Sequence, residues 1–259
     1  MTGDAFYRQE DDHLIPSELT RGPWDPHAQH AGPPSALLAR ALERCQPRDG
    51  TRIGRITVEI LGPVPLAPLT VEASVVRPGR SVELLAASLS GPEGEVMRAS
   101  AWRVAAGDVH VESDPPPPGP DHGRDRDFFP TGQERGYHTA MEYRFVSGSF
   151  LEPGPATVWM RMREPLVAGE EPSPLQRVLA AADSGNGVSA TLDLGSFIFI
   201  NVDLSVHLHR VPAGEWVGLD AITLPEPNGV GLADTALHDE QGPIGRAAQT
   251  LLVRARDPD

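Results

Sequence analysis

The chain has 259 residues, enough for one large domain or two small ones and for a sizeable core without metal or disulfide staples. Asp and Glu number 36 against 22 Lys and Arg, and the resulting net charge of −14 repels phosphate backbones, so no nucleic-acid partner is expected. Cys45 is the single cysteine, the first residues lack the basic start and apolar run of a signal peptide, and no stretch reaches the ~18 apolar residues of a membrane span; a soluble, cytoplasmic protein is expected.

In chain order, a short strand is predicted over 5–8, followed by a loop carrying Trp24. The spacing of Leu37, Leu38, Ala41 and Leu42 predicts a helix over 34–44. Strands are predicted over 52–61, 69–76, 82–89 and 96–104, with turns at Pro78-Gly79-Arg80 and Gly91-Pro92-Glu93-Gly94. From 106 to 136 apolar periodicity disappears, and the run Pro115–Pro118 favours an extended spacer. This segment is read as a linker between a first unit, 1–105, and a second, 137–259, with Phe128, Phe129 and Pro130 pinning its far end.

The second unit repeats the plan. Strands are predicted over 138–146 and 156–162, then a helix over 174–183 capped by Ser173, started by Pro174 and stopped by Gly185-Asn186-Gly187. Strands over 197–210, 215–223, 230–238 and 243–253 complete it. Ile56–Ile60 aligns with Ile200–Leu204 at an offset of 144, and Glu93–Ala99 with Gln241–Ala247 at 148, as one duplicated unit would. One helix followed by antiparallel strands is an α+β layer, and two copies joined edge to edge form one continuous sheet and remove two exposed edges.

Several chemistries are disfavoured by what is missing. There is no phosphate-cradling glycine motif and no Gly-x-Ser-x-Gly elbow, and Cys45 has no evident partner, so covalent catalysis is not expected. Asn201, Asp203, Ser205, His207 and His209 alternate and are predicted to share one strand face. The His-x-His pair hints at a metal site, but the other ligands such sites need are absent, and a polar strand face is the plainer reading; no metal and no cofactor are expected.

The strings Ala182-Asp183-Ser184-Gly185-Asn186-Gly187, Phe199 to Arg210, Gly214-Glu215-Trp216-Val217 and Gly245 to Thr250 resemble acyl-CoA thioesterases of the type II, double-hotdog kind, in particular actinobacterial ones. The likeness extends more faintly over Trp24, His30-Ala31-Gly32 and the first helix. It implies two tandem hotdog repeats, each a long helix wrapped by an antiparallel sheet, and hydrolysis of acyl-CoA thioesters without a covalent intermediate. In that family an Asp, a Thr and a Gln hold one water; the resemblance carries these onto Asp183, Asn201 and Gln249, with Asn in place of Thr. The corresponding first-half positions are Glu43, Thr57 and Ala101, which implies one working site per chain. Asp183, at a helix end whose dipole disfavours negative charge, is the expected base. Gly32 is the candidate oxyanion donor, and Trp24, Phe197, Phe199 and Trp216 are candidates to line the acyl tunnel. Arg40, Arg44, Arg80 and Arg246 are available for CoA phosphates. Three other readings stay open: a hotdog hydratase-dehydratase using Asp203 and His207, a non-catalytic acyl-CoA-binding protein, and an unrelated small-ligand binder. Homo-oligomerisation is left open.

Overall fold

A computed structural model describes residues 4–107, 123–126, 128, 131–193 and 195–256. The first unit has a hairpin, β1 (Tyr7–Glu10) and β2 (His13–Pro16), then helix α1 (Gly32–Arg44) and strands β3 (Thr51–Ile60), β4 (Thr70–Arg77), β5 (Val82–Gly91) and β6 (Gly94–Ala105). The second has a helical turn α2 (Tyr137–Ala140), strands β7 (Met141–Ser149) and β8 (Glu152–Met162), and helices α3 (Pro174–Ala182) and α4 (Gly185–Val188). It ends with strands β9 (Phe197–Asn201), β10 (Asp203–Leu208), β11 (Val217–Pro225), β12 (Val230–Asp239) and β13 (Gly242–Ala255).

The two units form a double hotdog. Eleven strands make one sheet in the order β4-β5-β6-β3-β10-β13-β12-β11-β8-β7, with β9 paired to β13. The seam is the antiparallel pair β3–β10, where Thr57 faces Ser205. Each unit's would-be edge strand is thereby paired, as expected for tandem copies. Along β5 the side chains alternate, with Leu85, Ala87 and Leu89 buried on the face that receives the helices. Helix α1 starts with Pro33 and Pro34 in its first turn, where their missing donors cost nothing, and buries Leu37, Leu38 and Leu42. Helix α3 starts as the sequence predicts: Ser173 Oγ accepts the Gln176 N–H at 3.2 Å, with Pro174 at the first position.

Helices α1 and α3 pack against each other in opposite directions. The start of α1 meets the end of α3 so closely that a Cβ on Gly32 would sit 2.4 Å from Ala180 O. At the other end, Glu43 accepts hydrogen bonds from Ser173 Oγ (2.8 Å) and Gln176 Nε2 (3.0 Å).

Four expectations need correction. The first strand lies at Tyr7–Glu10 rather than 5–8. The strand predicted from 138 begins at Met141, because Thr139 Oγ1 accepts the Gly136 N–H and closes a helical turn first. Gly185-Asn186-Gly187 does not stop the helix in a loop but forms α4, held by tertiary contacts: the Asn186 N–H donates to Gln249 Oε1.

Finally, the strand predicted over 197–210 is broken at Val202. Asn201 pairs with Leu251, whereas Ser205 pairs with Ala248, so one residue is extra. A one-residue slip exchanges the faces. Asn201 therefore points inward, while Asp203, Ser205 and exposed His207 point outward, opposite to the shared face predicted for them. The first unit has the same irregularity, between Ile53 and Arg55. Aligning the bulges and the cross-strand registers relates the strands from β3 to β6 to those from β9 to β13 by 148 residues, the spacing of Thr57 and Ser205, whose hydroxyls lie 3.0 Å apart at the seam; the helices α1 and α3 are offset by about 140. Thr57 thus corresponds to Ser205, and the counterpart of Asn201 is Ile53. The counterpart of Gln249 is Ala101, as expected from sequence.

The run Pro115–Pro118 lies outside the described residues, as do Phe129 and Pro130. Phe128 packs against Phe150 at 4.4 Å and Tyr143 at 6.1 Å between ring centroids, and Arg124 pairs with Phe145 through two backbone hydrogen bonds.

Candidate active site

Asp183 is the C-cap residue of α3 and is buried. A carboxylate at the negative end of a helix dipole needs donors around it. Asn201 Nδ2 donates to its Oδ1 at 2.8 Å, from the inward face that the Val202 bulge creates. His30 Nδ1 stands 3.0 Å from its Oδ2. Gln249, almost wholly buried on β13, donates to the Asp183 carbonyl at 3.1 Å and reaches Oδ1 only at 3.5 Å, while its Oε1 takes the Asn186 N–H. Asp183, Asn201 and Gln249, predicted as a set, are brought together. Their arrangement differs from three groups around an open position, because the Asn201 amide grips the carboxylate itself and the Gln249 amide holds the same residue's carbonyl.

His30 was not predicted as a site residue. It lies just before α1, with its ring stacked on Tyr137 at 3.7 Å and nearly parallel. The Tyr137 hydroxyl donates to Ala180 O at 2.5 Å and contacts Ser184 Oγ at 3.0 Å. Burial holds the Tyr137 phenol well above its usual range; Ser184 pulls it partly back and the charge of Asp183 adds to the rise. Tyr137 is thus a neutral, fixed plate that sets the imidazole plane. The available sequence signal for His30 was its position two residues before a Gly-Pro-Pro helix start, beside the end of the helix pair.

These groups open onto a cleft of about 350 Å³ lined by Trp24, His30, Asp183, Asn186, Phe199 and Asn201, among others. The remaining predicted residues distribute as follows. Trp24 lines the cleft and is half exposed, and Phe199 lines it from β9. Gly32 is inside: the backbone of α3, not a ligand, occupies the space its missing side chain leaves, and its N–H points at His30 Nδ1, 3.1 Å away. Trp216 lies beneath the guanidinium groups of Arg161 and Arg144, outside the cleft. Arg40 and Arg44 are paired with Glu170, and Arg246 with Asp234. Asp203 accepts the Thr250 N–H at 2.6 Å on the outer face and does not touch His207. His209 is also exposed, and among the described residues no group of three or more His, Cys, Asp or Glu side chains could hold a metal ion. No helix of the described residues is long and apolar enough to cross a membrane.

Comparison with known proteins adds to this geometry. A family model described as the acyl-CoA thioesterase N-terminal domain matches residues 20–104, and one described as the acyl-CoA thioesterase C-terminal domain matches residues 112–253. No curated protein matches the sequence significantly. Among solved structures, a hot-dog-fold protein from Alicyclobacillus acidocaldarius is similar at a TM-score of 0.72 and 18% identity, over 95% of this chain and 93% of that one. A tesB protein from Mycobacterium avium subsp. paratuberculosis is similar at 0.68 and 14%, over 93% of each chain. An acyl-CoA thioesterase II, TesB2, from Mycobacterium marinum is similar at 0.66 and 13%, over 97% of this chain and 95% of that one. At these identities the likeness is one of fold.

Proposed function

The chain belongs to the acyl-CoA thioesterase family, and from that premise we propose that its Asp183 cleft hydrolyses acyl-CoA thioesters through a directly attacking water. The observation that carries this reading is the convergence of His30 and Asn201 on the buried Asp183 carboxylate, with Gln249 on its backbone carbonyl, beside an open cleft.

Both Asp183 oxygens are engaged, Oδ1 by the Asn201 amide and Oδ2 by the imidazole. In the tautomer that carries its proton on Nδ1, His30 donates to the Asp183 carboxylate instead of accepting the Gly32 N–H, and Nε2 is the acceptor nitrogen. Asp183 and His30 then act as one base unit. A water in the cleft gives up its proton to the pair as its oxygen bonds to the thioester carbon, and the C–S bond breaks as the CoA thiolate leaves. The proton held by the pair goes to that leaving sulfur. Among the described residues the lining of the cleft holds no cysteine and no serine, which fits direct attack rather than an acyl-enzyme. Gln249 positions the pair from below by tying the Asp183 carbonyl to the Asn186 amide.

Release of free thiol from short, medium and long acyl-CoAs, for the wild type and Asp183→Asn, tests this. Release that collapses about 10²-fold or more in the variant is expected. Unchanged release refutes the assigned base, and binding without release makes the protein a carrier. An Asp–His pair also suits water addition to an enoyl thioester, so an enoyl-CoA is assayed in parallel; hydration without thiol release would replace the hydrolase reading.

A further inference from the structure

The 148-residue relation that maps Thr57 onto Ser205 also maps the active cleft onto a second one. At the opposite end of the helix pair lies a cleft of about 340 Å³, almost the volume of the first. Its wall from β3, Thr51-Arg52-Ile53, is the counterpart of Phe199-Ile200-Asn201, and its wall Leu208 to Pro212 is the counterpart of Ile60 to Val64. Glu43 stands at the end of α1 as Asp183 stands at the end of α3.

The hydrolytic groups are gone from this twin. Ile53 replaces the amide of Asn201, Ala101 replaces Gln249, and the Glu43 carboxylate is tied down by Ser173 and Gln176. What it has instead is an apolar floor of Ile53, Leu175, Leu208 and Val211 under a cationic rim. Arg103, in the place of Leu251, is buried and spent on Glu83 and the carbonyls of Cys45 and Gln46. Arg210 is spent on Asp239. Arg48 bonds the Gly79 and Arg80 carbonyls and approaches Glu83 at 3.4 Å. Arg52, at the mouth, is exposed and makes no ion pair or hydrogen bond among the described residues.

An apolar cleft of this size with one uncommitted guanidinium at its edge suits a molecule with a hydrocarbon body and an anionic end. We propose that the twin cleft binds a fatty-acid anion without hydrolytic chemistry, its chain along Ile53, Leu175 and Leu208 and its carboxylate at Arg52. The inference rests on reading the Asp183 cleft as the acyl-CoA site, whose product class is the same molecule, so the enzyme holds a second place for what it releases.

Calorimetric titration with dodecanoate, below its micelle concentration, tests this in the full chain whose first cleft is saturated with S-dodecyl-CoA, a thioether that cannot be hydrolysed. Dodecanoate is expected still to bind, about tenfold or more weaker in Arg52→Glu and not measurably in Ile53→Trp, whose ring fills the cleft. The kcat/KM for acyl-CoA hydrolysis at low substrate is expected within about twofold of wild type in both. Should Ile53→Trp not fold, Arg52→Glu and Arg52→Gln carry the test alone. No dodecanoate binding, or binding indifferent to Arg52, overturns the proposal. So does a second S-dodecyl-CoA per chain that dodecanoate cannot displace, because the occupant is then the CoA ester. A chain that hydrolyses nothing yet binds dodecanoate through Arg52 sinks the hydrolase reading alone.

Discussion

His30 Nδ1 lies 3.0 Å from Asp183 Oδ2, and the two residues come from opposite halves of the chain. The second unit supplies the carboxylate and both amides, but the imidazole arrives from the loop that opens the helix of the first. Neither unit holds the whole set.

If the pair acts as one base, the effects of removing its members do not add. Asp183→Asn and His30→Ala are each expected to lower kcat by about 10²–10⁴-fold, and the double variant by little more than the worse single one. Steady-state kinetics on one acyl-CoA for all four proteins checks this; fully multiplicative losses would show two independent roles.

Asn201→Asp places a second carboxylate where an amide now donates at 2.8 Å. Two carboxylates at that distance do not both ionise readily, so they share a proton at neutral pH. Activity is expected to fall at pH 7 and to recover in part as pH rises, shifting the acid limb of the rate profile upward. A pH–kcat/KM profile that keeps the wild-type shape would refute this.

Gly32→Ala is expected to destabilise by about 1–3 kcal/mol, since the new Cβ meets backbone and not a flexible side chain: Ala180 O lies 2.4 Å away. Opening the helix pair also moves His30, two residues earlier, so kcat is expected to fall as the melting temperature does. Gly187→Ala, where a Cβ meets nothing within 4 Å, is the control for stability. Thermal denaturation of both variants reads the difference.

Asp239 is a buried carboxylate with two bonds from Arg210, 2.7 and 2.6 Å, and the N–H groups of Ala213 and Gln241. Burial pushes its carboxyl up, but Arg210 and the two amides outweigh this and hold it below its usual value. A carboxyl depressed in the folded state stabilises above its unfolded pKa, about 3.9, and that contribution is lost as pH falls through the lower folded value. Asp239→Asn is expected to cost about 2–3 kcal/mol at pH 7, with the gap to wild type shrinking below about pH 4. Urea unfolding at pH 7 and pH 3 measures both; an equal gap at the two pH values would contradict the linkage.

Helices α1 and α3 were legible because prolines and a serine cap mark their starts and leucines mark their buried faces. The strands were legible as alternation. The bulge at Val202 was not, since one extra residue leaves composition and alternation intact while exchanging inside for outside. That is why His207 looked like a neighbour of Asn201. The same blindness set Ile56–Ile60 against Ile200–Leu204 at 144 from interchangeable β-branched strings, where hydrogen-bond register requires 148, the offset that the Glu93–Ala99 string also has. Asp183, Asn201 and Gln249 were found through family likeness; periodicity alone leaves Asp183 a solvated turn residue. His30 escaped because its partner is distant in sequence and no periodic pattern surrounds it.

The kink at Gly54 and at Val202 falls at the matching position of each copy. It turns the same strand position toward each cleft, Ile53 in one and Asn201 in the other. Two chambers of one backbone plan are thus told apart by the side chains they carry, so exchanging a few residues is enough to change what each can hold.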